Sequence, residues 1–281
     1  MKSKSNQVAV IVPTYNRRIL SEKTVKSLFN DGYVHMSIFV CDSSSTDGTQ
    51  EAVSQYPGTF VLNVGPEKWW SGSVNFGIKK AIDENFDYVL ILNDDLSLPK
   101  NLISKLFELA LQQPEAIITA GQSTEGKLFL GQKVVGLFRN RQEVVTTGMS
   151  FVDIDLINGS CLLIPIDIFK KIGIIDEVRC PHLAGDNEFL LRARNAGFRL
   201  VTAKDVIVEQ GVRTDLSSRY CLRSLLTAPY SPYRLETHLA FGRQLFGSWM
   251  ELAIFGMWFN MKYLLSLIKA SLIAVFRNRC I

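Results

Sequence analysis

"YVLILNDDLSLP" (residues 88–99) drives an apolar run into Asn93, Asp94 and Asp95 before it returns to leucines and a proline. A short apolar run bounded by polar residues is the pattern of a strand buried on both faces. Its end is the anomaly, because adjacent carboxylates repel and uncharged turn residues would close a strand at less electrostatic cost. Something should compensate them.

The same pattern recurs upstream in "VAVIVPTY" (8–15), "SIFVCDSS" (37–44) and "TFVLNVG" (59–65), with helical stretches near 21–29, 48–55 and 73–84 between the runs. Strands alternating with helices predict βαβ units: an α/β fold with a Rossmann-like, mostly parallel sheet and helices on both faces. Downstream, 102–113 carry helical periodicity up to Pro114, and "AIITAG" (116–121) supplies a further strand. Residues 122–150, dotted with Gly and Thr, predict irregular hairpins or a mobile loop. "FVDIDLINGSCLLIP" (151–165) restores order, with Asn158-Gly159-Ser160 as a turn, and a helix follows over 167–172. "GDNEFLLRARNAGFRL" (185–200) reads as a helix from near Asp186, then a strand.

A chain of 281 residues with 47% apolar content holds one large domain with room for an extension. A net charge of +4 is too weak to argue for nucleic acid, though it suits an anionic membrane surface or phosphorylated ligands. The five cysteines form no CxxC pair, and Cys41 and Cys161 lie inside apolar runs. Reduced core thiols and a cytoplasmic location are the expectation, and "MKSKSNQ" enters the first strand without a signal-like apolar region. The tail "LAIFGMWFNMKYLLSLIKASLIAVF" (252–276) is long enough to span a bilayer. Lys262, Ser266 and Lys269 nevertheless place a polar stripe along it, as on a helix lying in the membrane interface. Packing on the domain or on a second subunit, as a homo-oligomer, is the alternative.

In an open parallel sheet, ligands bind beyond the carboxyl ends of the strands. Those ends carry Pro13, Thr14, Tyr15, Asn16 and Arg17; Asp42 to Ser45; Asn63 to Gly65; and Asn93, Asp94 and Asp95. Neither a Gly-x-Gly-x-x-Gly nor a Gly-Lys-Ser/Thr phosphate cradle is present. Hard oxygen ligands instead suit Mg²⁺ or Mn²⁺, which would bridge the acids to a substrate diphosphate. Asp47, with Gln50 three residues on, is expected to cap the next helix and leave Asp42 free for a base or ribose. "EKWWSGSVNFG" (67–77) reads as a loop whose tryptophans, beside Lys68, Ser71 and Asn75, stack on a sugar. Asn75 and Gly77 are expected at the start of the following helix.

Taken together, "VIVPTYNR", "DSSSTDGT", Asn93-Asp94-Asp95 and "GDNEFLLRARNAGF" resemble the successive motifs of family 2 inverting glycosyltransferases of the GT-A fold, over about residues 7 to 210. The resemblance implies donor-nucleotide contacts at Pro13, Thr14, Tyr15, Asn16, Arg17, Asp42, Asn93 and Asp94, and a metal on Asp95. It aligns Asp186 with the general base and Glu188 with a second acid that contacts sugar; Gly185 stands where the family commonly has Glu. His182 reads as a further metal or phosphate contact or as structural, and Arg192 and Arg194 as a solvated helix face or diphosphate contacts.

The expected organisation is a catalytic domain over 1–225, with a nucleotide half to about 121 and an acceptor half beyond it. Residues 226–281 form a helical extension that meets the membrane or a second subunit. The implied activity is metal-dependent transfer of a rhamnose-, glucose- or galactose-type sugar from a UDP- or dTDP-linked donor. The implied acceptor is a polyprenyl-diphosphate-linked glycan of O-antigen or capsule type, at the inner face of the plasma membrane. The rivals are a sugar nucleotidyltransferase, which needs a Gly-rich basic loop that "VPTYNRR" lacks, and a non-catalytic glycan-binding homologue.

Overall fold

The computed structural model describes residues 6–135, 140–144, 150–211, 227–231, 234–246 and 268. The first half runs β1 (Val8–Thr14), α1 (Arg18–Phe29), β2 (Met36–Asp42), α2 (Thr49–Val53), β3 (Thr59–Asn63), α3 (Trp69–Asp83) and β4 (Tyr88–Leu92). Next come β5 (Leu96–Ser97), α4 (Leu102–Gln112), β6 (Ile117–Thr124), β7 (Lys127–Phe129), β8 (Gln132–Val135), β9 (Asn140–Glu143) and β10 (Phe151–Ile154). The chain continues through β11 (Cys161–Pro165), α5 (Ile166–Ile172), α6 (Gly185–Asn195), β12 (Leu200–Gln210) and α7 (Leu235–Phe246).

The main sheet has the order β10-β12-β6-β11-β4-β1-β2-β3. The β4-β1-β2-β3 block is parallel, as the strand–helix alternation requires, and β6 and β12 also pair in parallel. Between these blocks β11 runs antiparallel to both β4 and β6, so the sheet is mixed. Alternation along β1 divides the core: Val8, Val10 and Val12 pack toward Val25 and Leu28 of α1, while Ala9 and Ile11 pack toward Val74 and Ile78 of α3. Residues two apart on a strand share a face, so one strand serves helices on both sides. Helix α3 lies close on the sheet, since a Cβ on Gly77 would stand 2.8 Å from Ile11 Cγ2 and 3.0 Å from Cys41 Sγ.

Two local expectations change. Helix α3 begins at Trp69, after a single 3-10 turn over Pro66–Lys68, so the tryptophans open a helix and Asn75 and Gly77 lie inside it. Ser71, Ser73 and Asn75 are buried on this helix, which disguises its inner face as polar. The α2 N-cap is Gly48 in the left-handed region, while Asp47 accepts the Arg18 and Thr49 N–H groups at 2.9 and 3.2 Å.

Helix α7 falls within the stretch expected as a separate extension, yet its Leu245 and Phe246 share a small core with Val134, Leu156 and Leu191. Gln244 reinforces the docking by donating to Glu188 at 3.1 Å, and Asn195 donates to the Gln244 carbonyl at 2.7 Å. Apart from Ile268, the apolar tail over 252–276 lies outside the described residues. Among the described residues, no helix is long and apolar enough to cross a membrane.

Candidate active site

Parallel register brings the strand ends together: Thr14 pairs with Asp42, and Asp42 with Asn63. Just beyond β4, the two adjacent acids have different surroundings. Asp94 is only 2% exposed and accepts from Thr14 Oγ1 at 2.9 Å, Ser21 Oγ at 3.0 Å and Arg17 Nη1 at 2.5 Å. Its carbonyl also accepts from Thr24 Oγ1 at 3.1 Å. Burial pushes the Asp94 carboxyl above the ordinary range, and Arg17 with the Thr14 and Ser21 hydroxyls offsets only part of this. Asp95 lies 3.9 Å from Arg17 Nη2 through one oxygen, while its other oxygen, Oδ1, is buried without a hydrogen-bond partner.

The acids expected to share the donor therefore divide. Asp94 is committed inward to Thr14, Arg17 and Ser21. Asp95 carries a buried oxygen with no partner in the protein, a position open to water or a ligand.

Asp42 does not stand free as expected. It is fully buried, and its carboxylate accepts the Ser45 N–H at 2.9 Å, the Ser45 hydroxyl, and Gln50 Nε2 at 2.6 Å. A carboxylate has about four acceptor sites, so these bonds orient it and leave capacity for one more donor. Asn16 locks the first loop to the second, accepting the Thr46 N–H at 2.8 Å while its own N–H donates to Ser45 Oγ at 2.7 Å. Pro13 and Thr14 are buried, whereas Tyr15 and Asn16 are exposed.

A second loop cluster meets this edge from the α6 side. Trp70 Nε1 donates to Asn93 Oδ1 at 2.9 Å, and the Asn93 N–H donates to the Ser160 carbonyl at 2.9 Å. Ser71 donates through its N–H to the Pro181 carbonyl at 2.9 Å and through its hydroxyl to the Cys180 carbonyl at 2.5 Å. Asn75 exchanges bonds with the Ile175 backbone at 2.8 and 3.1 Å and donates to Glu177 at 2.8 Å. Lys68 pairs with the same Glu177 at 3.4 Å. Burial works to raise the Glu177 pKa, but Asn75 and Lys68 outweigh it and hold the carboxyl below its usual value. Lys68, Ser71 and Asn75 thus tie α3 to the 175–181 loop.

Asp186 opens α6 and accepts the Gly159 N–H at 2.6 Å. A Cβ on Gly159 would lie 2.4 Å from Asp186 Cβ, so only glycine permits this approach. Gly185 has a similar cause: a Cβ there would meet Ser71 Oγ at 2.4 Å, which explains its place in the acidic motif. Glu188 is 1% exposed and forms a two-pronged pair with Arg192 at 3.0 Å to each oxygen. Arg192 also donates to the Ile172 and Ile174 carbonyls, and Arg194 pairs with Asp155 at 3.0 Å. Glu188, Arg192 and Arg194 therefore brace α6, with their charged groups bonded to the protein itself.

His182 has a buried Nδ1 without a hydrogen-bond partner, and burial, then the Arg17 charge, lowers its pKa. Trp69, which packs against it, adopts φ 50° and ψ −166°, a backbone region that costs residues other than glycine about 1–3 kcal/mol. Positive φ values at Asn16, Ser44 and Ala184 place further strain around the same edge. Among the described residues no group of three or more His, Cys, Asp or Glu side chains is placed to hold a metal. Around this edge, Asp95 Oδ1 and His182 Nδ1 are buried without a hydrogen-bond partner among the described residues. Gly159, Ser21 and Glu177 were not singled out in the sequence; a glycine in an Asn-Gly-Ser turn gives no sign of the side chain it will face.

The solved structures similar to this chain include the mannosyltransferase PcManGT from Pyrobaculum calidifontis in complex with GDP-Man and Mn²⁺, with TM-score 0.58 and 15% identity over 96% of this chain and 87% of that one. Residues 1–349 of S. aureus TarS in complex with UDP-GlcNAc give TM-score 0.58 and 17% identity over 89% and 73% of the two chains. At these identities they establish the shared GT-A-like fold. A Campylobacter jejuni GalNAc(5)-diNAcBac-PP-undecaprenol beta-1,3-glucosyltransferase is 32% identical over 37% of this chain and 34% of its own. Across three curated relatives, the matched region spans 34%, 54% and 64% of their length. Residues 9–173 match the family described as Glycosyl transferase family 2, more than half of the chain, and the protein belongs to that family.

Proposed function

We propose that the chain is an inverting glycosyltransferase that moves a rhamnose-, glucose- or galactose-type sugar from a UDP- or dTDP-linked donor to a lipid-linked glycan in surface polysaccharide assembly. One observation carries this reading. Asn93 is bonded to Ser160, next to the Gly159 that holds Asp186, so the Asp95 strand end and the Asp186 carboxylate belong to one bonded frame.

Asp186 is the general base. It accepts the proton of an acceptor hydroxyl as that oxygen forms its bond to the anomeric carbon and the bond from this carbon to the diphosphate oxygen breaks on the opposite face. The Gly159 N–H fixes one carboxylate oxygen through that exchange. Arg17, anchored on Asp94, brings positive charge to the diphosphate side. Asp95 Oδ1, a hard oxygen left buried and unpartnered, fits Mg²⁺ or Mn²⁺, with His182 Nδ1 as a further candidate. A divalent cation held there supplies charge that stabilises the leaving diphosphate. The names of the relatives support a nucleotide-sugar donor, a divalent cation and an undecaprenol-diphosphate-linked acceptor. The proposed location is cytoplasmic and peripheral on the inner face of the plasma membrane, through the C-terminal apolar stretch.

The test is thermal melting against UDP, dTDP, GDP and CMP, each with and without Mn²⁺. A ligand at about a hundred times its Kd stabilises by about 2.7 kcal/mol, which melting resolves. Stabilisation by one nucleoside diphosphate only with metal, abolished in Asp95→Ala, is expected. A folded protein indifferent to every nucleotide contradicts the reading.

A further inference from the structure

The adjacent tryptophans that open α3 turn to different partners. Trp70 is bonded to Asn93 on the strand-end edge, whereas Trp69 packs on His182, four residues before Asp186, at 5.7 Å between centroids and 63° between planes. A third ring joins them from a distant part of the chain. Tyr230 lies 5.3 Å from Trp69, with its ring tilted by 42°, and comes from the stretch between β12 and α7.

That stretch and α7 are fastened to the loop that leads into α6 and to α6 itself. Arg234 Nη1 donates to the Val178 and Arg179 carbonyls at 3.1 Å each, and Thr237 Oγ1 donates to the Arg179 carbonyl at 2.7 Å. Gln244 bonds Glu188 on α6 itself. Tyr230 and Asp186 are therefore positioned by one frame, and both Trp69 and Tyr230 are half-buried. Trp69 holds a strained backbone conformation, which persists only where the surrounding structure enforces it. Aromatic faces beside a polar nitrogen suit a pyranose, whose C–H face packs on a ring while its hydroxyls hydrogen-bond at the rim.

Building on the transferase reading, we propose that Trp69 and Tyr230 form the aromatic wall of the acceptor-sugar subsite. Tyr230 is then a specificity-determining residue supplied from beyond the family-matched region. The wall packs on His182, in the segment that leads into α6 and Asp186, the group an acceptor hydroxyl has to reach, and Trp70 remains with the donor edge.

The test is saturation-transfer NMR on the full chain with methyl β-D-glucoside, methyl β-D-galactoside, methyl α-L-rhamnoside and methyl N-acetyl-β-D-galactosaminide, beside melting with UDP and dTDP plus Mn²⁺. The expected result is ring C–H saturation of at least one glycoside that falls about fivefold or more in Tyr230→Leu and Trp69→Ala, and persists in Tyr230→Phe. The nucleotide-induced melting shift stays unchanged in Tyr230→Leu. Glycoside signals equal in wild type and Tyr230→Leu overturn the proposal, as does wild type that binds nucleotide but none of the glycosides. A Tyr230→Leu protein that loses both responses also overturns it, since Tyr230 is then structural. Wild type that binds no nucleotide counts against the transferase reading, while a Tyr230-dependent glycoside signal still upholds the wall as a sugar site.

Discussion

Gly159 gives its backbone N–H to Asp186 at 2.6 Å, across a gap in which a single added methyl group would overlap the Asp186 Cβ. The turn after β10 and the first turn of α6 are thereby held at the distance of one hydrogen bond. Gly159→Ala must push them apart. Misplacing a reacting group by about 1 Å costs about a hundredfold in rate, and overpacking costs about 1–3 kcal/mol. Turnover of Gly159→Ala is expected to fall by about that factor with donor KM little changed, as read by initial rates beside a melting curve. A wild-type rate would show that Asp186 does not need this hold.

The divided roles of the β4-end acids predict opposite consequences for two neighbouring substitutions. Asp94→Ala removes the shared acceptor of the Thr14 and Ser21 hydroxyls; these lie 2.7 Å apart, so one can still donate to the other and one is left without an acceptor, at a cost of about 1–3 kcal/mol in urea unfolding. Arg17 is 37% exposed through its side chain and can turn toward water, so its lost ion pair adds little. Asp95→Ala removes a carboxylate with an unpartnered buried oxygen and is expected to leave stability within about 0.5 kcal/mol while abolishing any metal-dependent nucleotide response. Equal destabilisation by the two substitutions contradicts the division.

Ser71 and Gly185 make a reciprocal pair. Gly185→Ala sets a methyl group 2.4 Å from Ser71 Oγ and should destabilise, whereas adding Ser71→Gly removes that clash. A double-mutant cycle is expected to show favourable coupling of about 0.5–3 kcal/mol. Rescue will be partial, because the Cys180 carbonyl at 3.0 Å also crowds the new methyl. Additive losses would place the cost elsewhere.

His182 predicts a pH signature. Burial, then the Arg17 charge, lowers its folded-state pKa, so between that value and the unfolded value of about 6.5 the unfolded chain binds more protons. The associated stability is present above about pH 6.5 and is lost as pH falls toward the folded-state pKa. Melting between about pH 7.5 and about pH 5.5 should decline more steeply for wild type than for His182→Asn, which cannot titrate there. Parallel profiles would contradict a buried neutral His182.

The parallel block was legible because each of β1, β2 and β4 is a continuous apolar run, and runs separated by helices have few other ways to pair. The direction of β11 was not, since "CLLIP" carries the same apolar signature whichever way it points, and its neighbours β4 and β6 are chosen by the whole sheet. The start of α3 was hidden because Asn75 is buried by bonds to Ile175, a hundred residues away, which no local periodicity records. The site was legible as a set of strand-end acids but not in its division of labour. Asp94 and Asp95 differ by one position in sequence, and the alternation that turns one inward and leaves the other a free oxygen emerges only when Thr14, Arg17 and Ser21 arrive from β1 and α1.

The central claim, that Asp186 removes the proton from an acceptor hydroxyl, is tested most directly by comparing wild type with Asp186→Asn in sugar transfer from the nucleotide sugar whose diphosphate stabilises the protein. Asparagine retains an oxygen that can accept the Gly159 N–H but cannot serve as the base. Transfer is expected to fall by about 10²–10⁴-fold with nucleotide binding and melting temperature preserved. Transfer at the wild-type rate by a folded Asp186→Asn protein would contradict the account.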